Sequence, residues 1–433
     1  MPPSNHLNSS DNVATAQEKR RTRPLFDRRL LDYEAALELC LAQVPSCVPS
    51  ENQPLVNSLG RILRQNVESR IAVPPFSKSM MDGYAVKRDD VRRASADQPV
   101  QLRVIDEVPA GSMSHQVVKT GQAIKIMTGA PVPEGADAII ILEHTRPADI
   151  DGHIRVTDPV GENNYIINRG QDLLPGDRVA AAGEKINGVM MGVLASCGVD
   201  EVNVAGRPKV GIISTGSELV SPGSPAGEGK IYDINGYSLY GLATEAGAEA
   251  IFLGIVRDKS DDLLQVLNNA RHFDILLLSG GVSVGDYDIV HETLQRAGVE
   301  EIFWRVKVKP GKPLFFGKMD NSLIFGLPGN PFSSANNFYL FVRPAIDKLL
   351  GRSRWGLETG TAPVLNSLIL QPGRRKFLRG QLRQENGRQQ VWIIPEQRSG
   401  LFSPMTRADV LIEVQEDKKI IKEGDLAKIY YLS

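Results

Sequence analysis

The sequence predicts a multidomain protein of α/β plus β class. Three observations carry that expectation. The chain has 433 residues, more than one hydrophobic core organises, which implies two to four domains. From Arg207 onward, short apolar strands alternate with helical segments, the pattern of a parallel sheet covered on both faces, a three-layer α/β domain. Between about Ile71 and Val160, and again after Gly351, short β-branched runs alternate with Gly/Pro turns and helical periodicity is scarce, as in small β domains. The expected boundaries are a disordered tail over 1–26, a discontinuous N-terminal or linker domain over 27–71 plus 164–206, a mostly β domain over 72–163, the α/β domain over 207–352 and a small C-terminal β domain over 353–433.

The elements follow in order. Leu30 to Leu41 has apolar residues at helical spacing, with Asp32 and Tyr33 at its start, and predicts a helix. Gln101–Ile105, Gln122–Ile126, Ala138–Leu142 and His153–Val156 read as strands. Gly176 to Val204 reads as a strand, a turn and a helix ending near Cys197-Gly198. In the α/β region, Lys209–Ile213 and Glu249–Val256 are strands, and Asp274–Ser279 is a continuous apolar strand of the doubly buried kind. Helices are expected over Asn235–Ala246, stopped by Gly247, over Asp261–Arg271, capped by Ser260, over Ile289–Ala297, and over Pro331–Leu350. Near the end, Ser367–Leu370, Gln390–Ile394, Val410–Val414 and Leu426–Tyr431 are strands.

Composition narrows the function. Lys plus Arg total 50 and Asp plus Glu 51, a formal charge of −1, so the chain is not a general nucleic-acid binder. Any anion site must be built locally. No apolar run reaches the roughly 20 residues that span a bilayer, and the polar N-terminus has no secretory core. Its basic cluster, Lys19, Arg20, Arg21 and Arg23, reads as a solvated segment. Cys40, Cys47 and Cys197 are odd in number and form no CxxC, which argues against a disulfide framework or structural zinc and fits a reducing cytoplasm.

The dense motifs of the α/β region fall at strand ends, where such sheets bind ligands. Ser214-Thr215-Gly216-Ser217-Glu218 follows the first strand, and Ser279-Gly280-Gly281-Val282-Ser283-Val284-Gly285-Asp286-Tyr287-Asp288 follows the third. Paired glycines let backbone N–H groups converge on a phosphate. Asp286 and Asp288 at the lip suit Mg²⁺, or cap the next helix. Lys309-Pro310-Gly311-Lys312-Pro313 is a stiff loop carrying two lysines, suited to a polyanion. Strand alternation would put Arg305, Lys307 and Lys309 on one side. Leu327-Pro328-Gly329-Asn330-Pro331 is a helix-entry turn with Asn330 as cap and Pro331 in the first turn. In the β-rich region, the loops Ser77-Lys78-Ser79-Met80-Met81-Asp82-Gly83-Tyr84-Ala85-Val86 and Met127-Thr128-Gly129-Ala130-Pro131 stand out but dictate no reaction. These residues alone reach a polyanion plus Mg²⁺ at a sheet edge.

Seven segments, SMMDGYAV, IMTGAPVPEGADAII, ISTGSEL, IYDINGYSL, SGGVSVGDYD, KPGKP and GLPGNP, stand in the order of the MoeA family of molybdopterin molybdenumtransferases, which includes the gephyrin E domain. The chain resembles that family from about Leu30 to its C-terminus. The resemblance implies an α/β molybdopterin-binding domain similar to the MogA fold, and a molybdenum insertase that cleaves adenylated molybdopterin, releases AMP and inserts molybdate with Mg²⁺. It implies catalytic roles for Asp82, Glu218, Asp258, Asp288 and Lys309, and metal binding by Asp258, Asp286 and Asp288. Ligand contacts are implied for Thr128, Thr215, Gly216, Gly280, Gly281, Ser283, Arg305, Lys309, Lys312, Pro328, Arg379 and Ser399. It also implies a cytoplasmic homodimer with a site shared between subunits, and the molybdopterin adenylyltransferase as a further partner. The chain departs from the family at Asp233-Ile234-Asn235, where Ile234 replaces a common Ser, at Ala408-Asp409, where Asn is common in place of Asp409, and at Arg305, where Lys is common. The competing readings are an adenylyltransferase-like enzyme of the same pathway, a non-catalytic molybdopterin-binding scaffold, and a regulatory homologue.

Overall fold

The computed structural model describes residues 30–45, 47–160, 165–257, 259–281, 287–385 and 387–432. The expected tail over 1–26 lies outside them. The chain forms two compact units, one of residues 1–47, 207–349 and 354–433, the other of 48–206 and 350–353. Among the described residues no helix is long and apolar enough to cross a membrane.

In the first unit a six-stranded sheet runs in the order Glu249–Val256, Lys209–Thr215, Ile275–Ser279, Ser322–Leu327, Pro313–Met319, Glu300–Arg305. The first four strands are parallel, as the alternating pattern predicts. Pro313–Met319 runs antiparallel to both of its neighbours, Ser322–Leu327 and Glu300–Arg305, which corrects the expectation of a wholly parallel sheet. The cause is connection length. Met319 and Ser322 pair directly across Asp320 and Asn321, too short a link for a crossover, and Asp320 takes the left-handed φ of +54° that the turn needs.

Ile275–Ser279 is buried at all five positions, because helices cover both faces. On one face Leu263, Leu267, Val290 and Leu294 pack against Ile213, Leu276, Leu278 and Ile324. Helix Asn235–Glu245 packs on Lys209–Thr215 and Glu249–Val256 and against Pro331–Asn337. The expected long helix over Pro331–Leu350 is three consecutive helical segments, with a wide turn over Phe338–Val342. Two caps differ from expectation. Ser260 lies inside its helix, Ser260–Asn269, and its Oγ meets Thr293 Oγ1 at 2.9 Å instead of capping. Asn330 precedes Pro331 as expected, but its side chain makes no cap bond.

The same unit carries a second sheet, ordered Val308–Lys309, Arg375–Glu385, Val410–Val414, Leu426–Tyr431, Thr359–Pro363, with Arg388–Ile393 on the free side of Arg375–Glu385. The strand Arg375–Glu385 has no counterpart in the sequence expectation. Its alternation is hidden because Arg379, inside it, is fully buried. Helix Tyr33–Gln43 also belongs here, with the Tyr33 ring edge-on to Phe341 and Phe377.

The second unit holds a six-stranded sheet in the order Ala138–Ile141, Gly83–Val86, Gln122–Ile126, Val100–Val108, His153–Val156, Thr145–Pro147. Apolar clusters around Leu102, Ile140 and Val156 and around Ile124, Ile126 and Ile139 pack its two faces. Strands Ser50–Pro54 and Glu201–Ala205 pair beside helix Gly188–Ser196, over a cluster that includes Leu63, Leu194 and Val204.

Candidate functional site

Among the described residues of the first unit, two clefts concern the candidate site. The smaller, about 360 Å³, lies at the C-terminal ends of the parallel strands. Its walls are backbone: Thr215, Gly216, Gly280, Gly281 and Gly329. Glycine is required at two of these positions. Gly280 has φ +94°, and a Cβ there would meet the Thr215 carbonyl oxygen at 2.3 Å; Gly281 has φ +65°, and its Cβ would lie 2.6 Å from Val290. The Glu218 carboxylate stands directly over Gly216.

Asp233 and Asn235 form the floor of this cleft, and both are buried. Asp233 Oδ1 accepts from Gly236 N at 2.9 Å, and Asn235 Nδ2 donates to the Gly329 carbonyl at 2.8 Å. Among the described residues, Asp233 Oδ2, Asn235 Oδ1, Ser214 Oγ and Ser279 Oγ are buried and have no hydrogen-bond partner. Among the described lining residues the only charged ones are Glu218 and Asp233. Ile231, Tyr232 and Ile234 form an exposed apolar rim. Sequence reasoning singled out Glu218, Thr215 and the glycines but missed the buried pair Asp233 and Asn235, for which the Asp-Ile-Asn segment is the signal. Pro328 is not among the lining residues. Asp258, Ser283 and Asp286 lie outside the described residues. The backbone of Asp288 belongs to helix Tyr287–Arg296, and its side chain lies outside the description.

The larger cleft, about 1020 Å³, has the opposite sign. Lys309, Lys312, Arg374, Lys376 and Arg398 line it against a single acid, Glu396. Its rim is the 309–313 loop, which the helix Pro331–Asn337 staples from behind. Asn336 Nδ2 donates to Pro310 O at 2.9 Å, and Asn337 Nδ2 to Gly311 O and Pro313 O at 3.1 and 3.2 Å. Gly311 has φ +110°, and a Cβ there would meet Asn337 Oδ1 at 2.2 Å. The loop's geometry therefore depends on both asparagines and the glycine. Val308–Lys309 pairs in parallel with Arg375 and Lys376, so Lys309 and Lys376 are direct register partners.

Arg398 and Glu396 neutralise each other through a side-chain fork, and the guanidinium holds the Glu396 carboxyl down at about 2. Lys376 differs. It is buried, its Nζ donates to the Arg374 carbonyl at 3.2 Å, and it makes no ion pair among the described residues. Burial first, then Lys309 and Arg374, pull its pKa below the ordinary lysine value. Sequence reasoning missed Arg374 and Lys376 because the strand they open was not recognised.

The other basic candidates divide. Ser399 and Lys312 line the large cleft. Arg305 lines neither cleft, and Lys307 pairs with Asp32 at 3.3 Å. The alternation expected to align them with Lys309 breaks because the first strand ends at Arg305 and Val308–Lys309 joins the other sheet. Arg379 is fully buried, with its guanidinium spent on backbone: Nη1 donates to Leu401 O at 2.7 Å, Nη2 to Glu396 O at 2.6 Å and to Arg398 O at 3.3 Å. It also stacks on Phe332 at 4.2 Å. Arg379 thus shapes the 396–401 loop, whose Gly400 borders both clefts.

In the second unit Asp82 and Thr128 meet. The Thr128 amide and hydroxyl both donate to Asp82 Oδ1, at 2.7 and 2.6 Å, and these bonds hold the exposed Asp82 carboxyl below the usual aspartate range. The neighbouring Gly83 is forced by packing, since a Cβ there would meet the Ile140 carbonyl oxygen at 2.0 Å.

Mg²⁺ prefers oxygen ligands. The glycine-walled cleft offers carboxylate, amide and hydroxyl oxygens and no competing cation among its described lining residues, so its donor set fits such an ion. Among the described residues no three His, Cys, Asp or Glu gather closely enough to hold a metal by themselves.

Three family profiles match the chain: the MoeA N-terminal region, domains I and II, over 31–198; a probable molybdopterin binding domain over 211–348; and the MoeA C-terminal region, domain IV, over 361–432. A molybdopterin molybdenumtransferase of Haemophilus influenzae is 34% identical over 403 residues, covering 92% of this chain and 98% of that protein. One from a Nostoc species is 38% identical over 309 residues, covering 70% of this chain and 69% of its own length. The crystal structure of a molybdopterin biosynthesis MoeA protein from Pyrococcus horikoshii superposes with a TM-score of 0.77 at 30% identity, covering 93% of this chain and all of that one. With matches of this length across all three regions, the chain belongs to the MoeA family.

Proposed function

We propose that this chain is the molybdenum insertase of molybdenum cofactor synthesis: it cleaves adenylated molybdopterin, releases AMP and transfers molybdate to the dithiolene. The observation that carries the reading is the pair of oppositely charged clefts bordered by Gly400. Such a reaction brings together an oxyanion and a phosphoanhydride, and its demands are positioning and charge stabilisation. Lys309 and Lys312 bind molybdate in the cationic cleft, where apolar walls strengthen their field. The backbone around Thr215, Gly216, Gly280 and Gly281 receives the phosphates. Glu218 orients the water whose oxygen attacks phosphorus as the P–O bond to AMP breaks, and takes its proton.

Mg²⁺, when bound, would be held by Asp258, Asp286 and Asp288, and would neutralise charge on the phosphates. Ser283, Arg305, Pro328, Ser399, Asp82 and Thr128 remain among the proposed substrate contacts, with Arg379 setting the loop that carries Ser399. The exposed apolar residues Ile234, at the N-cap, and Tyr237 and Tyr240, within helix Asn235–Glu245, stand at three-residue spacing and support a homodimer covering that face. We place the enzyme in the cytoplasm, with the molybdopterin adenylyltransferase as its supplier of substrate.

The test is AMP release on mixing purified protein with adenylated molybdopterin, Mg²⁺ and molybdate. Molybdate-dependent release is expected, and Asp288→Ala should bind the substrate yet release little AMP. Release by Asp288→Ala at the wild-type rate removes Asp288 from the mechanism; no release by the wild type, with substrate bound, leaves a storage or regulatory role. A strictly monomeric, fully active protein in light scattering contradicts the dimer.

A further inference from the structure

We propose that the cationic cleft holds two oxyanions side by side, and that Arg374 and Lys376 form the second position, which takes a phosphate monoester dianion. The first position is the one given above to molybdate, at Lys309 and Lys312. Naming the second occupant as the phosphate monoester left on the pterin once AMP has departed from the glycine-walled cleft rests on the proposed function.

Strand alternation supplies the first argument. Successive side chains point to opposite faces. Arg375 is matched by three carboxylates, Glu34, Glu413 and Glu416, the last two at 2.8 and 3.0 Å. Its neighbours Arg374 and Lys376 face the cleft instead, and neither makes an ion pair among the described residues. Arg374 Nη1 donates to the Val308 carbonyl at 3.4 Å.

Charge supplies the second. Arg398 is neutralised by Glu396, and Lys309, Lys312, Arg374 and Lys376 make no ion pair among the described residues. Gathering four such cations is costly unless anions offset them. One divalent oxyanion offsets half of that charge, and two offset all of it. Space supplies the third, because a cleft of about 1020 Å³ is far larger than a single five-atom oxyanion needs.

Lys376 gives the second position a distinctive signature. It is 3% exposed, and the charged groups facing it are Lys309 from the paired strand, Arg374 from its own strand and Glu416, the first two opposing its protonation and the last favouring it. Its other register partner, Val414, is apolar. A dianion binds the ammonium form, so affinity at this position falls as pH rises through the depressed lysine value, and binding takes up protons.

Calorimetry on the full chain tests this with inorganic phosphate and with molybdate, without the organic substrate. Phosphate should still bind when molybdate saturates the protein. Lys376→Met, and separately the half-buried Arg374→Gln, should each raise the phosphate Kd about ten- to a hundredfold. Molybdate Kd should change by no more than about threefold, as expected for a shift in the shared field. With sulfate, whose charge is constant over the range, wild-type affinity should fall with rising pH. Lys376→Arg should keep the affinity and lose that pH dependence. One-for-one displacement of phosphate by molybdate in the wild type would overturn the second position. So would unchanged phosphate affinity in both variants, or an identical pH profile in Lys376→Arg. None of these readings needs turnover, so failure here with molybdate-dependent AMP release intact defeats only the two-anion reading.

Discussion

The two clefts of the first unit share Gly400 but are built from different materials. One is backbone: glycine turns at the ends of parallel strands, with Glu218 and Asp233 as its only described charges. The other is side chain: four cations that make no ion pair among the described residues, on a loop stapled by Asn336 and Asn337 and on an adjoining strand. The difference teaches where each anion can go. Amide dipoles at a strand end accept a phosphate beside carboxylates when a cation bridges them, whereas a free oxyanion seeks formal positive charge. On this account the acidic cleft handles the bond to be broken and the cationic cleft the incoming metal oxyanion.

The largest expected effects separate the clefts by chemistry. Glu218→Gln and Lys309→Gln should each slow single-turnover AMP release by about a hundredfold or more, as loss of a charged group at a reacting centre does. Raising molybdate should rescue Lys309→Gln and leave Glu218→Gln slow. The same response in both variants would break the division. Next come the glycines, each of which supports one cleft. Gly311→Ala forces a Cβ against Asn337 at φ +110° and should cost about 1–3 kcal/mol in denaturant unfolding, weakening molybdate binding. Gly280→Ala should cost a similar amount and spare molybdate.

Acid should act beneath the cationic cleft first. Burial alone would raise the Glu413 pKa, but hydrogen bonds from Lys428 and Tyr430 and the nearby Arg375 outweigh it, and the carboxyl stays depressed. A depressed carboxylate contributes its stability above the ordinary glutamate range and loses it as pH falls through the depressed value. Glu413 is buried, and the desolvation that opposes its charge limits the contribution to about 1 kcal/mol. Stability of Glu413→Gln should fall less on acidification than that of the wild type. The smallest effect belongs to the second unit: in Thr128→Val, the Asp82 carboxyl should move back toward the ordinary aspartate range in an NMR titration, with stability little changed.

The backbone cleft was the more legible in sequence. Its glycines, Thr215 and Glu218 sit in contiguous motifs after apolar strands, and both the left-handed turns and the strand run Ile275–Ser279 leave local signals. The side-chain cleft was legible only through Lys309 and Lys312. Arg374 and Lys376 reach it because a two-residue strand pairs with a segment more than sixty positions later, and no local pattern announces that. Arg379 is implied as a ligand contact by the resemblance, yet its guanidinium donates to three backbone carbonyls in the interior. Arg305 and Lys307 show the converse: alternation aligned them with Lys309, and a change of sheet between Arg305 and Val308 separated them.

The most direct test of the division between clefts is equilibrium titration of wild type, Lys309→Gln and Glu218→Gln with molybdate alone. The account predicts that Lys309→Gln weakens binding by about tenfold or more and that Glu218→Gln binds as the wild type does. Loss of molybdate binding in Glu218→Gln, with Lys309→Gln unaffected, would place the oxyanion in the glycine-walled cleft and contradict it.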